Sequence, residues 1–147
     1  MPAQHGTPYW LKSIGSTSFP MVEDYLREPW GKGRLDILDH MRFSKNKRPS
    51  GMSAGHKMVL YAAGHERIFG IATVTTGEIY EQGEDTEERW PWALDVQVPM
   101  LVSDLRIAPH LSAINVAPLS VRQQSYISLT AEQYALAIDA FCSAVRV

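Results

Sequence analysis

The 147-residue chain has one cysteine, Cys142, so no internal disulfide can staple it, and no Cys/His spacing of a zinc site is present. No apolar run approaches the roughly 20 residues needed to cross a bilayer. The opening Met1-Pro2-Ala3-Gln4-His5-Gly6 also lacks the basic-then-apolar order of a secretory signal. The expectation is a soluble protein in a reducing cytoplasm, with no membrane partner. Excess charge is missing too. Fourteen basic residues against sixteen acidic ones leave a formal net charge of −2, so no global basic field draws in nucleic acid. Binding of that kind would need a local patch or a pocket for a single base. Catalytic signatures are equally scarce: there is no Gly-rich phosphate loop, no H-E-x-x-H and no G-x-S-x-G. The five histidines (His5, His40, His56, His65, His110) are scattered over tail, helix and turn positions. Glu87-Glu88 lies in an acidic loop with no sign of the burial that raises a carboxyl pKa. These gaps point to a binding protein that catalyses nothing and holds neither metal nor cofactor.

What is present is ordinary for a globular chain, 45% hydrophobic and 20% charged. At this length one domain over residues 1–147 is expected, with 1–8 as a tail. Tyr9-Trp10-Leu11-Lys12 reads as a first strand. Pro20 opens a short helix to Glu28, which Pro29 ends. Leu35, Leu38 and Met41 stand at helical spacing and predict a second helix over Leu35–Met41. The basic, breaker-rich stretch from Arg42 to Gly55 reads as a mobile loop.

His56–Ala63 and Arg67–Thr75 read as adjacent strands joined by a tight hairpin at Gly64-His65-Glu66. Glu78–Glu88, with six acidic residues, reads as a solvated loop. Alternation predicts a half-buried strand over Ala93–Val98. A further strand is expected over Leu101–Ile107, and another over Ser125–Leu129. Thr130-Ala131-Glu132-Gln133 has the pattern of a capping box. The helix it starts carries an apolar stripe through Tyr134, Ala135, Ile138, Phe141, Cys142 and Val145. The order predicts an α+β domain built on a curved sheet or small barrel, with a C-terminal amphipathic helix.

Four tryptophans, at positions 10, 30, 90 and 92, carry the functional reading. Trp10 sits in a strand and is expected in the core. Trp30 follows a helix-ending proline and precedes Gly31, a loop setting in which a flat ring can stack on a base. One of Trp90 and Trp92 is expected to line the same pocket and the other to be core.

Tyr9-Trp10-Leu11-Lys12-Ser13, Trp30-Gly31, Lys57–Ala63, Ile68–Val74, Trp92–Val96 and Thr130–Tyr134 occur in an order that resembles EVE domains. These are members of the PUA-like superfamily, related to YTH readers. The resemblance runs from about residue 9 to 145, and no single motif in it is diagnostic. It implies a PUA-like β-barrel of about five to six strands flanked by helices, with an aromatic cage for a modified base of DNA or RNA. A flipped base needs stacking faces and hydrogen bonds to its edge. Trp30 with Trp90 or Trp92 would supply the faces, and Ser13, the Lys12 backbone and the Tyr61 region the polar edges, with Gly31 also among the ligand-binding residues. Arg42, Lys45, Lys47, Arg48, Arg122 and Ser125 would face the nucleic-acid backbone. Two departures from the family stand out. Ile14-Gly15 replaces a frequent Glu-Pro, and Lys32-Gly33-Arg34 replaces a frequent Val-Arg-Asn. Two other readings remain open at this stage: an enzyme or subunit acting on a small nucleotide-like ligand, and a protein-interaction module using Trp90-Pro91-Trp92 and the acidic loop.

Overall fold

The computed structural model describes residues 8–14, 40–43, 48–49, 51–77, 79–80, 92–102, 107–117, 121 and 126–145. Its strands are β1 (Tyr9–Ile14), β2 (His40–Phe43), β3 (Lys57–Ala62), β4 (Arg67–Val74), β5 (Ile79–Tyr80), β6 (Trp92–Leu101) and β7 (Tyr126–Ser128). A 3-10 turn spans Leu111–Ile114, and a helix, α1, spans Ala131–Val145. The strands form one mixed sheet in the order β2-β6-β4-β3-β1-β7, with β5 attached to β6. The sheet curls into a half-barrel. The small α+β barrel-like fold expected from the sequence is what the chain adopts.

The centre of the sheet follows from composition. β3 and β4 are near-continuous apolar runs and are buried along almost their whole length, as strands covered on both faces must be. They pair antiparallel, Val59 opposite Ile71. The hairpin between them turns through Gly64 and Glu66, at φ of 90° and 57°; the tight turn was legible in Gly64-His65-Glu66. Gly70 is required by crowding: a Cβ there would lie 2.8 Å from Leu101 Cδ2 and 2.9 Å from Leu60 Cδ1. β1 runs parallel to β3, Leu11 opposite Val59, and antiparallel to β7, Leu11 opposite Ile127.

α1 begins as its sequence demands. Thr130 Oγ1 accepts from the Gln133 amide at 3.0 Å, and Gln133 Oε1 accepts from the Thr130 amide at 3.0 Å, the reciprocal bonds of a capping box. The helix turns Ala137 and Phe141 into the core and stacks Tyr134 on Tyr9 of β1, ring centroids 4.6 Å apart. Burial, and secondarily Tyr9, raises the Tyr134 phenol above its ordinary pKa.

Four sequence expectations need correction. Met41 belongs to strand β2 rather than to the expected helix, whose residues 35–39 lie outside the described residues. Met41 and Phe43 are both buried, a period of two set by pairing with β6 from His40–Asp95 to Phe43–Trp92. The strand expected over Ala93–Val98 and the start of the one expected over Leu101–Ile107 are a single strand, β6; residues 103–106 lie outside the described residues. Pro99 does not end it, because the pairing with β4 shifts register between Ile71 and Thr73. Such an irregularity accommodates a residue without an N–H. Beyond Leu101 the strand stops, and Ile107 is 46% exposed. Cys142 is exposed, since the buried face of α1 centres on Ala137 and Phe141 and the next position turns about 100° away. Finally, the described part of the 42–55 stretch is docked: Met52 is buried, and the Gly55 amide bonds Val74 O at 2.8 Å. The expected helix from Pro20 to Glu28 lies outside the described residues.

Candidate functional site

Successive strand residues point to opposite faces, so β1 divides its side chains between two surroundings. Tyr9 meets α1 through Tyr134. Trp10 and Lys12 point the other way, into the curl of the sheet. There Lys12 stands opposite Tyr126 of β7, and Phe43 of β2 stands opposite Trp92 of β6. β2 and β7 are the two ends of the strand order, yet the Phe43 and Tyr126 rings meet edge to face, centroids 5.7 Å apart. Trp10 meets the same Tyr126 ring at 5.7 Å. Aromatic edges therefore bring the two ends of the curled sheet together, an arrangement that ring quadrupoles favour.

Among the described residues, Lys12 and Arg48 bring cationic groups to this aromatic surface. Lys12 is 7% exposed; its Nζ donates to the Ser13 carbonyl at 2.9 Å and lies 4.9 Å from the Phe43 ring centroid. Burial lowers its pKa from 10.5 to about 8, because an ammonium loses hydration there. Arg48 is exposed, and its guanidinium lies 4.6 Å from the centroid of the half-buried Trp92 ring. The Arg48 carbonyl accepts a hydrogen bond from the Tyr126 hydroxyl. At the rim, Trp10 Nε1 donates to His56 Nδ1 at 3.1 Å, and the Ser53 amide donates to the same nitrogen at 3.3 Å. An acceptor on Nδ1 places the ring proton on Nε2.

The structure thus gathers Lys12, Arg48 and Trp92 on one face. Ser13 and Tyr61 are cross-strand partners on β1 and β3, one position out of phase with Lys12, and Tyr61 is buried. Arg42 lies on β2. Trp30, Gly31, Lys45, Lys47, Trp90, Arg122 and Ser125 lie outside the described residues. Phe43 and Tyr126 were missed as site residues. The signal for them exists only in the meeting of two sheet edges about 80 residues apart. Trp10 is core, as expected, while also forming the floor of this face.

A second polar group lies at the far end of β3. His110 Nδ1 contacts Ser112 Oγ at 3.0 Å, and His110 Nε2 contacts Glu66 Oε1 at 3.4 Å. The spacing invites comparison with a hydrolase triad. However, the His110 and Glu66 side chains are each 45% exposed, and His110 Nδ1 also accepts the Ser112 amide as N-cap of the 3-10 turn. That is a capping role in open water, without the desolvation that charge stabilisation needs. Among the described residues no group of three His, Cys, Asp or Glu side chains is placed to hold a metal. No helix among them is long and apolar enough to cross a membrane.

No protein-family model and no curated protein matches the sequence. Solved structures do match. A Leishmania major protein superposes over 97% of this chain and 98% of its own, with a TM-score of 0.59 at 15% identity. A Rhodopseudomonas palustris protein covers 90% and 92%, with a TM-score of 0.58 at 14% identity. The YTH domain of Zygosaccharomyces rouxii MRB1, solved with N6-methyladenosine RNA, covers 96% and 92%, with a TM-score of 0.54 at 14% identity. The fold is YTH-like. At such identities the likeness is one of backbone path, so the chemistry of this chain has to be read from its own side chains.

Proposed function

We propose that this chain reads a modified base in nucleic acid, holding it against the aromatic face without transforming it. The observation that carries the reading is Trp92. It is a half-buried indole on the inner face of a YTH-like barrel, beside a cationic residue of the basic segment. The YTH neighbour was solved with a methylated RNA, which favours RNA over DNA and accords with the EVE and PUA-like resemblance of the sequence. In this reading Trp92, with Trp30 and Trp90, supplies the stacking faces. Lys12, Ser13, Gly31 and Tyr61 line or support the pocket, and Arg42, Lys45, Lys47, Arg48, Arg122 and Ser125 meet the backbone. A base between aromatic faces gains roughly 1–3 kcal/mol per ring, enough for selectivity when a methyl group fills space water would otherwise occupy. No cofactor is needed, and the whole chain acts as one domain in the cytoplasm.

The test is a titration of intrinsic tryptophan fluorescence with short oligonucleotides. Methylated or hydroxymethylated bases in RNA and DNA are set against their unmodified counterparts at low salt. Selective quenching by one modification supports the reading. Loss of that response in Trp92→Ala and Trp30→Ala, with cooperative unfolding retained and Trp92→Phe partly active, localises it. A flat response across the panel rejects it. Changes at Lys45 and Arg48 are expected to weaken oligonucleotide binding evenly across sequences and to flatten its salt dependence.

A further inference from the structure

The Trp92 face is occupied in the free chain. The guanidinium of Arg48 lies over the ring, 4.6 Å from its centroid, and so covers a face on which a planar base could otherwise stack. The backbone behind it is pinned on every side that the structure describes. The Arg48 carbonyl is held by the Tyr126 hydroxyl, Pro49 is buried, and Pro49 O accepts from the Met52 amide at 3.2 Å. Gly51 packs so closely on Trp10 that a Cβ would sit 3.0 Å from Cη2. The backbone is held at these points, so it is the exposed Arg48 side chain that would clear the Trp92 face.

On these grounds, and resting on the reading above, we propose that Arg48 is a stacking gate. It covers Trp92 in the free protein, yields the ring to an incoming base, and turns to a phosphate of the same ligand. A free base or nucleoside must displace an existing cation–π contact and offers the displaced cation nothing. A phosphate-bearing nucleotide offers the guanidinium a bidentate, charge-assisted partner as it takes the ring. The gate therefore selects a nucleotide within a strand, or one carrying a phosphate, over the free nucleoside. The exchange needs no backbone movement.

The experiment compares methylated nucleosides, their monophosphates and short methylated oligonucleotides on the wild type, Arg48→Ala and Arg48→Gln. Loss of the stacked cation should tighten nucleoside binding about threefold in Arg48→Ala. Loss of the phosphate partner should weaken monophosphate and oligonucleotide binding about tenfold in the same variant. Arg48→Gln, which keeps a planar group without charge, should share the tenfold loss and show less of the threefold gain. Acrylamide quenching of tryptophan should rise in Arg48→Ala without any ligand. If both classes of ligand move in one direction, or the wild type binds nucleoside and nucleotide equally, the gate is wrong and the reader stands. If the wild type binds no member of either panel, the reader reading falls and the gate falls with it.

Discussion

Lys12 is, among the described residues, the one whose chemistry departs furthest from its ordinary state. An unfolded lysine titrates near 10.5, and this one titrates at about 8 because burial strips its hydration. Between those two values the unfolded chain carries a proton that the folded chain does not, so stability rises with pH across that window. The full penalty is present below pH 8. Part of it is offset by the bond to the Ser13 carbonyl and by the Phe43 ring. Lys12→Met is therefore expected to stabilise the protein by roughly 1–3 kcal/mol at neutral pH. Urea midpoints measured from pH 7 to 10.5 should lose their upward slope in the variant; an unchanged slope would mean that another group carries it. Gly70 is the opposite case, a position with no slack. Gly70→Ala puts a methyl against Leu60 and Leu101 and is expected to cost about 1–3 kcal/mol by overpacking, read as a lowered Tm.

At the scale of elements, the helix and the sheet owe their limits to different causes. α1 starts where its own residues say, through the reciprocal Thr130–Gln133 bonds. Thr130→Ala should cost about 1 kcal/mol, while Thr130→Ser should be near neutral. Equal losses in the two variants would show that the hydroxyl is not what matters. β3 and β4 were legible because both faces are covered and the runs are apolar throughout. β2 was not. Four residues, His40–Phe43, are too short for a period of two to compete with the helical spacing of Leu35, Leu38 and Met41, and partner β6 decides the matter. β6 hid for a related reason, since a proline in a strand reads as an end until its neighbour supplies a register shift.

For the whole molecule, the question is what holds the two ends of the strand order together. The contact is Phe43 on Tyr126, with Trp10 behind and the Tyr126 hydroxyl on the Arg48 carbonyl. Phe43 is fully buried, and Phe43→Ala should cost about 3–5 kcal/mol. A double-mutant cycle with Tyr126→Leu isolates the ring pair and should give a coupling of about 0.5–1.5 kcal/mol. A coupling near zero would mean that the seam is held by burial alone. The same contact fixes Arg48 beside Trp92, so Tyr126→Phe should leave stability within about 1 kcal/mol of wild type while loosening the gate. That effect is readable as greater acrylamide quenching.

Local chemistry in the chain was enough for the central hairpin, the capped helix and the α+β class. Each of these rests on neighbours in sequence or on a pattern repeated within one element. The same reading set Trp92 and Arg48 among its binding residues without showing that they touch, and it set Lys12 there without showing that its ammonium is buried. Those facts depend on β1 running parallel to β3 and on β2 and β7 meeting across the curl. The contacts of Phe43 and Arg48 with Tyr126 join residues more than 70 positions apart, and no periodicity along a chain encodes them. Packing of the assembled sheet chose which aromatic rings became a floor, which became a seam, and which was left half-buried under an arginine.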